Sequence, residues 1–400
     1  MVAATQDALS YPGNDMTNGF TRRDVRLANW REHPYSRWAF QNVSELVPVA
    51  PIGMPRGEDE ASPGQDGLLD MQLELPGGAP ITALEHLRQS HGDAFVAMRE
   101  GRLVAEWHAP HADPDAPHLI FSVSKSVAGL LAGIAVEEGL LDPAAPVTDY
   151  VPMPKGGAFA SASVRHLLDM TVSLRFEENY LDRQSDFDRY RRAMLWNPEH
   201  DAGKAETLEK VLVSLPKDDC GHGERYHYAS PATDMLGLVI ERAAGRRYHA
   251  YLAEKLWKPM GARGLAYVTV DREGTARAAG GICATARDLA RLGQMVLRGG
   301  AAGGRQVVPR SWIDDIATNG DRHLFAREDG SFPNGHYRSC WYATGDDHGS
   351  LAAIGIHEQW IWIDPVRDVV LVKLSSRPEP SNDDATRREI AILGQIARAI

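Results

Sequence analysis

The stretch KSVAGLLAGIAVEEG, Lys125 to Gly139, is small or apolar at almost every position before its two closing acids. A surface helix shows one apolar stripe, whereas a segment apolar all round must be covered on every side. No uninterrupted apolar run in the chain approaches the ~18 residues of a membrane-spanning helix, so the cover has to be protein. This segment therefore predicts a buried central helix that starts near Ser122 and stops at Gly139, a natural left-handed terminator. A chain of 400 residues can build such a core without disulfides.

What surrounds that helix follows from periodicity. DAFVAMREGRLVAEWHA predicts a hairpin turning at Glu100-Gly101. Between Asp142 and about Thr269 the pattern is mostly helical, with SVRHLLDM and SPATDMLGLVIERAAG as clear segments. In the second, Ser230 is placed as N-cap, Pro231 at the first helical position and Gly245 at the end. GGICATARDLARLGQMVLRGG reads as another helix. LAAIGIHEQWIWIDPVRDVVLVKLSS reads as two long strands joined by a turn at Asp364 to Asp368, and a last helix runs from about Asp383 to Ile400. Strands at both ends with helices between them predict an α/β (α+β) architecture. Its antiparallel sheet is formed from both chain ends and flanked by helices, with a mostly α-helical domain inserted. The expected division is 1–145 plus 270–400 for the sheet domain and 146–269 for the insertion. Residues 1–80 form an arm that Trp30, Tyr35, Trp38 and Phe40 pin to the body.

Composition excludes some functions. The net charge of −11 offers no basic excess to neutralise phosphates, which argues against nucleic acid and anionic membrane as partners. Cys220, Cys283 and Cys340 are too few and scattered for a disulfide framework or a zinc ribbon. The first twenty residues lack the basic and apolar regions of a secretory leader, so a cytoplasmic protein is expected. His108, His111 and His118 lie close in sequence, but a Pro-rich loop explains them better than a metal site. His357 lacks the second histidine of a His-Glu-x-x-His motif. No Gly-x-Ser-x-Gly elbow, Walker loop or dinucleotide fingerprint occurs; no metal and no cofactor is expected.

Chemistry concentrates at FSVSKS. Residues i and i+3 share a helix face, so Lys125 can reach the Ser122 hydroxyl. A serine needs such a base, and burial lowers a lysine pKa enough to supply one. The helix N-terminus adds free N–H groups where an oxyanion would develop. The same two residues also fit a cap followed by a solvated lysine. In RYHYASPATD, Tyr228 stands just before a helix and could relay a proton; alone, it fits a packed aromatic equally well. In AIGIHEQW, placed inside a strand, Gly355 permits close backbone approach.

In order, FSVSKS, YAS and GIHEQ resemble the motifs of the serine β-lactamase and penicillin-binding-protein superfamily. NWREHPYSRWAFQNV, RRAMLW, GGICATARDLARLG and QWIWIDPVRDVVLVKLSS extend the resemblance over most of the chain. They bring it close to the 6-aminohexanoate-dimer (nylon oligomer) hydrolases and related carboxylesterases. The resemblance implies Ser122 as nucleophile, Lys125 as base and Tyr228 as proton relay. It implies an oxyanion hole from the backbone N–H groups of Ser122 and Ile356. It gives Ser230, Trp196, His357 and Gly355 supporting or substrate-binding roles. Trp196 equally fits a core aromatic, and Arg191 and Arg192 could meet an anionic substrate or simply be solvated. Three departures stand out. Ser230 replaces the usual Asn, no Lys-Thr-Gly supplies a cation, and Glu358 stands where the subgroup often has Gly. A small linear amide or ester is thus expected ahead of a β-lactam or D-amino peptide, with a non-catalytic ligand-binding member as the rival. A homodimer is common in such a subgroup.

Overall fold

The computed structural model describes residues 19–400 except 58, 60, 62, 64–66, 76, 77 and 179–184. The leader expectation, drawn from the first twenty residues, lies almost wholly outside this set. The main sheet is antiparallel and seven-stranded. Its strands are β1 (Gly92–Arg99), β2 (Arg102–His108), β3 (His336–Arg338), β4 (Trp341–Ala343), β5 (Leu351–Gly355), β6 (Gln359–Asp364) and β7 (Val369–Ser375). The order β3-β4-β5-β6-β7-β1-β2 joins the two chain ends, with Val369 opposite Arg99 and Val372 opposite Val96. The β1–β2 turn falls at Glu100-Gly101, both at positive φ (52° and 78°), as a tight hairpin requires.

The central helix is α1 (Val123–Glu137). Every residue from Val123 to Ala135 is buried, and Gly139 follows at φ 70°. Two of its glycines are close-approach points. A Cβ on Gly129 would lie 2.0 Å from the Ser339 carbonyl oxygen, and one on Gly133 would lie 2.5 Å from the Trp312 ring. Glycine inside a helix costs up to about 1 kcal/mol, and here it is what lets α1 lie against its neighbours. The Trp312 and Trp341 indoles then donate to the Gly129 and Ser126 carbonyls at 3.0 and 3.1 Å.

α2 (Asp186–Ala193), α3 (Ser230–Ala244), α4 (Ala286–Leu297) and α5 (Asp383–Ala399) complete the frame. α3 packs on α1, whereas α4 and α5 cover β7. A small second sheet, in the order Val49–Gly53, Ala266–Thr269, Ile282–Ala284, His118–Leu119, leads the chain into Ser122. The arm is pinned as expected: Trp30 and Phe40 are fully buried, while Tyr35 and Trp38 are half-buried against the core.

Several local expectations are corrected. GGICAT forms a strand before α4 begins, because Ile282 and Cys283 pair with Val268 and Tyr267. Ala266–Thr269, within the stretch expected to be helical, is strand for the same reason. The expected long strand Leu351–Asp364 is two strands, broken at Ile356–Glu358. His357 and Glu358 take positive φ (61° and 69°), a conformation uncommon for residues other than glycine.

Candidate active site

Phe121 sits at φ 44°, an unfavourable conformation for a bulky residue, at the junction between the small sheet and α1. It sets Ser122 at the α1 N-terminus. The Ser122 side chain makes no capping bond. Its Oγ instead accepts from Lys125 Nζ at 2.8 Å. The same Nζ donates to Ser230 Oγ at 3.0 Å and to the Ala279 carbonyl at 2.9 Å. Lys125 is 1% exposed, and burial lowers its pKa to about 8.

Ser230 is the first residue of α3 rather than its N-cap, which is Ala229. Its hydroxyl faces Lys125, and its N–H donates to Glu178 Oε1 at 2.6 Å. Tyr228 is half-buried, with its ring centroid 4.9 Å from Lys125 Nζ. Burial pushes the phenol well up, partly opposed by a hydrogen bond with Ser122.

Two cavities meet at Ser122 and Ile356, and both residues line each of them. One, of about 390 Å³ counted together with the solvent at its open mouth, is also lined by Arg31, Phe121, Glu178, Arg191, Trp196 and Arg277. The other, of about 520 Å³, is lined by Tyr228, Tyr342, Gly355, Glu358 and Trp360. Gly355 fulfils the close-approach reading, but the approaching group is protein: a Cβ there would lie 2.7 Å from the Ile120 carbonyl.

Trp196 both lines a cavity and packs in the core. It is 5% exposed, edge-on to Trp30 and Phe121, and its indole donates to Thr269 Oγ1 at 3.3 Å. Trp30 and Arg31 donate to its carbonyl at 3.0 and 2.9 Å, so the arm holds the Trp196 turn directly. His357 lines neither cavity. It packs on Phe40 and Phe121 and shares a 2.6 Å hydrogen bond with the Arg377 carbonyl, which makes it a brace for the turn. Gln359, unremarked in the sequence, donates to the carbonyls of Ile356, His357 and Ser375 and fixes the same turn. Arg192 bonds Asp188 at 2.9 Å, whereas Arg191 faces the smaller cavity.

Sequence reasoning missed the buried charges behind Lys125. Asp234 is completely buried and accepts from Arg277 and Tyr190, while Arg277 reaches the Tyr190 hydroxyl at 2.6 Å. The other Asp234 oxygen accepts from the Ala279 N–H at 2.7 Å, so it orients the residue whose carbonyl meets Lys125.

His111 and His118 share the buried Asp93 at 2.8 and 3.0 Å, and His108 meets Glu106 at 3.0 Å. Among the described residues no group of three or more His, Cys, Asp or Glu could hold a metal ion, and no helix is long and apolar enough to cross a membrane. The three cysteines are free thiols, and burial pushes Cys283 well up, away from reactivity.

The β-lactamase family model matches residues 81–395. A 6-aminohexanoate-dimer hydrolase of Paenarthrobacter ureafaciens is 37% identical over 386 residues, 96% of each chain. A Bacillus anthracis protein provisionally described as a 6-aminohexanoate-dimer hydrolase superposes with a TM-score of 0.86 at 24% identity. That match covers 95% of this chain and 98% of the other. A D-stereospecific amidohydrolase of Streptomyces shares the fold at a TM-score of 0.57 and 18% identity, over 78% of this chain and 97% of its own. The chain belongs to the β-lactamase family and is a serine hydrolase of amide or ester bonds.

Proposed function

We propose that the protein hydrolyses small linear amides through an acyl-enzyme on Ser122, with Lys125 as base and Tyr228 as proton relay. The observation that carries this reading is the 2.8 Å contact between a buried Lys125 Nζ and Ser122 Oγ. The Ala279 carbonyl can only accept, while the Ser122 and Ser230 hydroxyls can donate or accept. A neutral amine therefore keeps donors for Ala279 and Ser230 and turns its lone pair to the Ser122 O–H. With a pKa of about 8, that form is a substantial minority near neutrality.

Ser122 Oγ adds to the amide carbonyl as its proton passes to Lys125. The new oxyanion is held by the N–H groups of Ser122 and Ile356, the two residues shared by both cavities. The C–N bond breaks as the leaving nitrogen takes a proton from Tyr228, which recovers one from Lys125. The raised pKa of Tyr228 keeps the phenol protonated, the form that donates. Water repeats the sequence on the Ser122 ester and releases the acid. Ser230, Glu178 and Asp234 position Lys125 and the Ala279 segment. The 37% identical relative is a hydrolase of a 6-aminohexanoate dimer, which supports a linear amide.

Fluorophosphonate labelling tests the reading. The wild type should incorporate one equivalent together with complete loss of amidase activity, and Ser122→Ala should incorporate none. Labelling that persists in Ser122→Ala would place the nucleophile elsewhere.

A further inference from the structure

Among the described residues, the larger cavity at Ser122 is lined by one charged side chain, Glu358, beside the rings of Tyr228, Tyr342 and Trp360. Glu358 closes the turn that begins at Ile356, so this carboxyl and the proposed oxyanion N–H come from one three-residue stretch. The residue is 7% exposed, and burial outweighs the field of Lys373 to hold the carboxyl above its usual range.

The cations nearest Glu358 are each engaged more closely by another carboxylate. Lys373 Nζ lies 2.6 Å from Glu389 but 3.9 Å from Glu358 Oε2. Arg377 lies 3.2 Å from Glu379 but 3.8 Å from Glu358 Oε1. Among the described residues, the one hydrogen bond to this carboxyl comes from the neutral Trp360 indole, at 3.2 Å to Oε2. A buried carboxyl so placed has acceptor capacity to spare on Oε1.

Which half of a substrate meets it follows from the proton path. Tyr228 lines this cavity and not the other, and in the proposed reaction it protonates the leaving nitrogen. The amine half therefore occupies the larger cavity, where Glu358 is the charged group beyond the scissile bond. We infer that this enzyme selects amides whose amine half carries a second, cationic nitrogen, which donates to Glu358 Oε1. The substrates are short diamines acylated at one end. The aromatic walls attract an ammonium as well, and a carboxylate at that end would meet Glu358 as a like charge. The inference rests on Ser122 as nucleophile and Tyr228 as donor. The chemistry is hydrolysis alone. The Ser122 ester forms as the C–N bond breaks, the nitrogen leaves with the Tyr228 proton, and water returns the serine and the acid.

Three hexanoyl amides with four-carbon amine halves test it: those of 1,4-diaminobutane (cationic end), butylamine (neutral) and 4-aminobutanoate (anionic). Released hexanoate is measured by mass spectrometry. A charge-assisted hydrogen bond is worth about a 10- to 100-fold preference. The wild type should favour the cationic amide over the neutral one in kcat/KM by about tenfold or more, and a smaller preference overturns the inference. Glu358→Gln keeps the shape and an acceptor oxygen but removes the charge. Glu358→Gly removes the side chain at φ 69°, where glycine is unstrained. Each variant should bring the ratio down to about threefold or less, and a higher ratio in either folded variant overturns the inference. The ratio compares substrates on one preparation, so a loss of folded enzyme cancels. If none of the three is hydrolysed while a fluorophosphonate still labels Ser122, the inference fails and the hydrolase reading stands. If labelling fails as well, both fall.

Discussion

Among the described residues two lysines are buried, and they are buried in opposite ways. Lys125, on α1, is surrounded by two hydroxyls and a carbonyl. Lys373, on β7, meets Glu389 at 2.6 Å and Glu358 at 3.9 Å. Removing an ammonium from water costs several kcal/mol, and only an opposite charge close by offsets that. Around Lys125 the first neighbours are neutral, so the proton is weakly held and the pKa falls to about 8. Around Lys373 the compensation runs through the carboxylate. Burial works to raise Glu389, but Lys373 and His86 prevail and hold it well below the usual range. Depth alone does not decide how tightly a buried lysine holds its proton; what lies within hydrogen-bond reach does.

Removing each lysine separates the two cases most sharply. Lys125→Met should lose at least about 1,000-fold in kcat on an activated amide, with the fold intact by circular dichroism, because the proposed base and proton store disappear together. Lys373→Met should cost about 3–5 kcal/mol of stability in a denaturant titration, since Glu389 is left buried with His86 alone. Its remaining folded fraction should keep the ascending limb of its pH profile near 8. If Lys373→Met instead moved that limb, the two sites would be coupled and the contrast would fail.

A smaller effect appears in stability against pH. The folded chain holds the Lys125 proton less tightly than the unfolded chain, whose lysine titrates near 10.4. Between about pH 8 and that value the unfolded state binds more protons, so stability contributed by this site rises with pH. Below pH 8 the whole penalty is present. Wild type should therefore gain up to about 3 kcal/mol relative to Lys125→Met as pH is raised across this window, read from urea midpoints at matched ionic strength. A constant difference between the two proteins would mean that Lys125 titrates normally.

How much of this could be read from the chain depends on the range of each interaction. The α1 core and the Ser122–Lys125 pair were legible because their signals are local, an unbroken apolar run and an i, i+3 spacing. The sheet joining both chain ends was legible from strand order. The Ile356–Glu358 turn was not, because its positive φ values fall on His and Glu rather than on the Gly or Asn that mark such turns. Ser230 looked like a helix cap because Ser-Pro usually is one; here Lys125, 105 residues away, claims its hydroxyl. Asp234, Arg277 and Tyr190 form a buried cluster across separations of 43 to 87 residues, which no window of the sequence connects.

The finest distinction between the two lysines concerns Glu178. It is the nearest thing Lys125 has to a counter-charge, and its field opposes the effect of burial. It is also tied to the site mechanically, because its Oε1 accepts from the Ser230 N–H at 2.6 Å. Glu178→Gln keeps an oxygen to receive that N–H while removing the charge. If Glu178 acts as a counter-charge, the ascending limb of kcat/KM should move below 8 by up to about one pH unit, with more active enzyme at neutral pH. If it acts only as a hydrogen-bond acceptor, the limb should stay in place and the rate should fall equally at every pH. The direction of the limb thus tells whether Lys125 is kept apart from carboxylates, unlike Lys373, or is held in check by one.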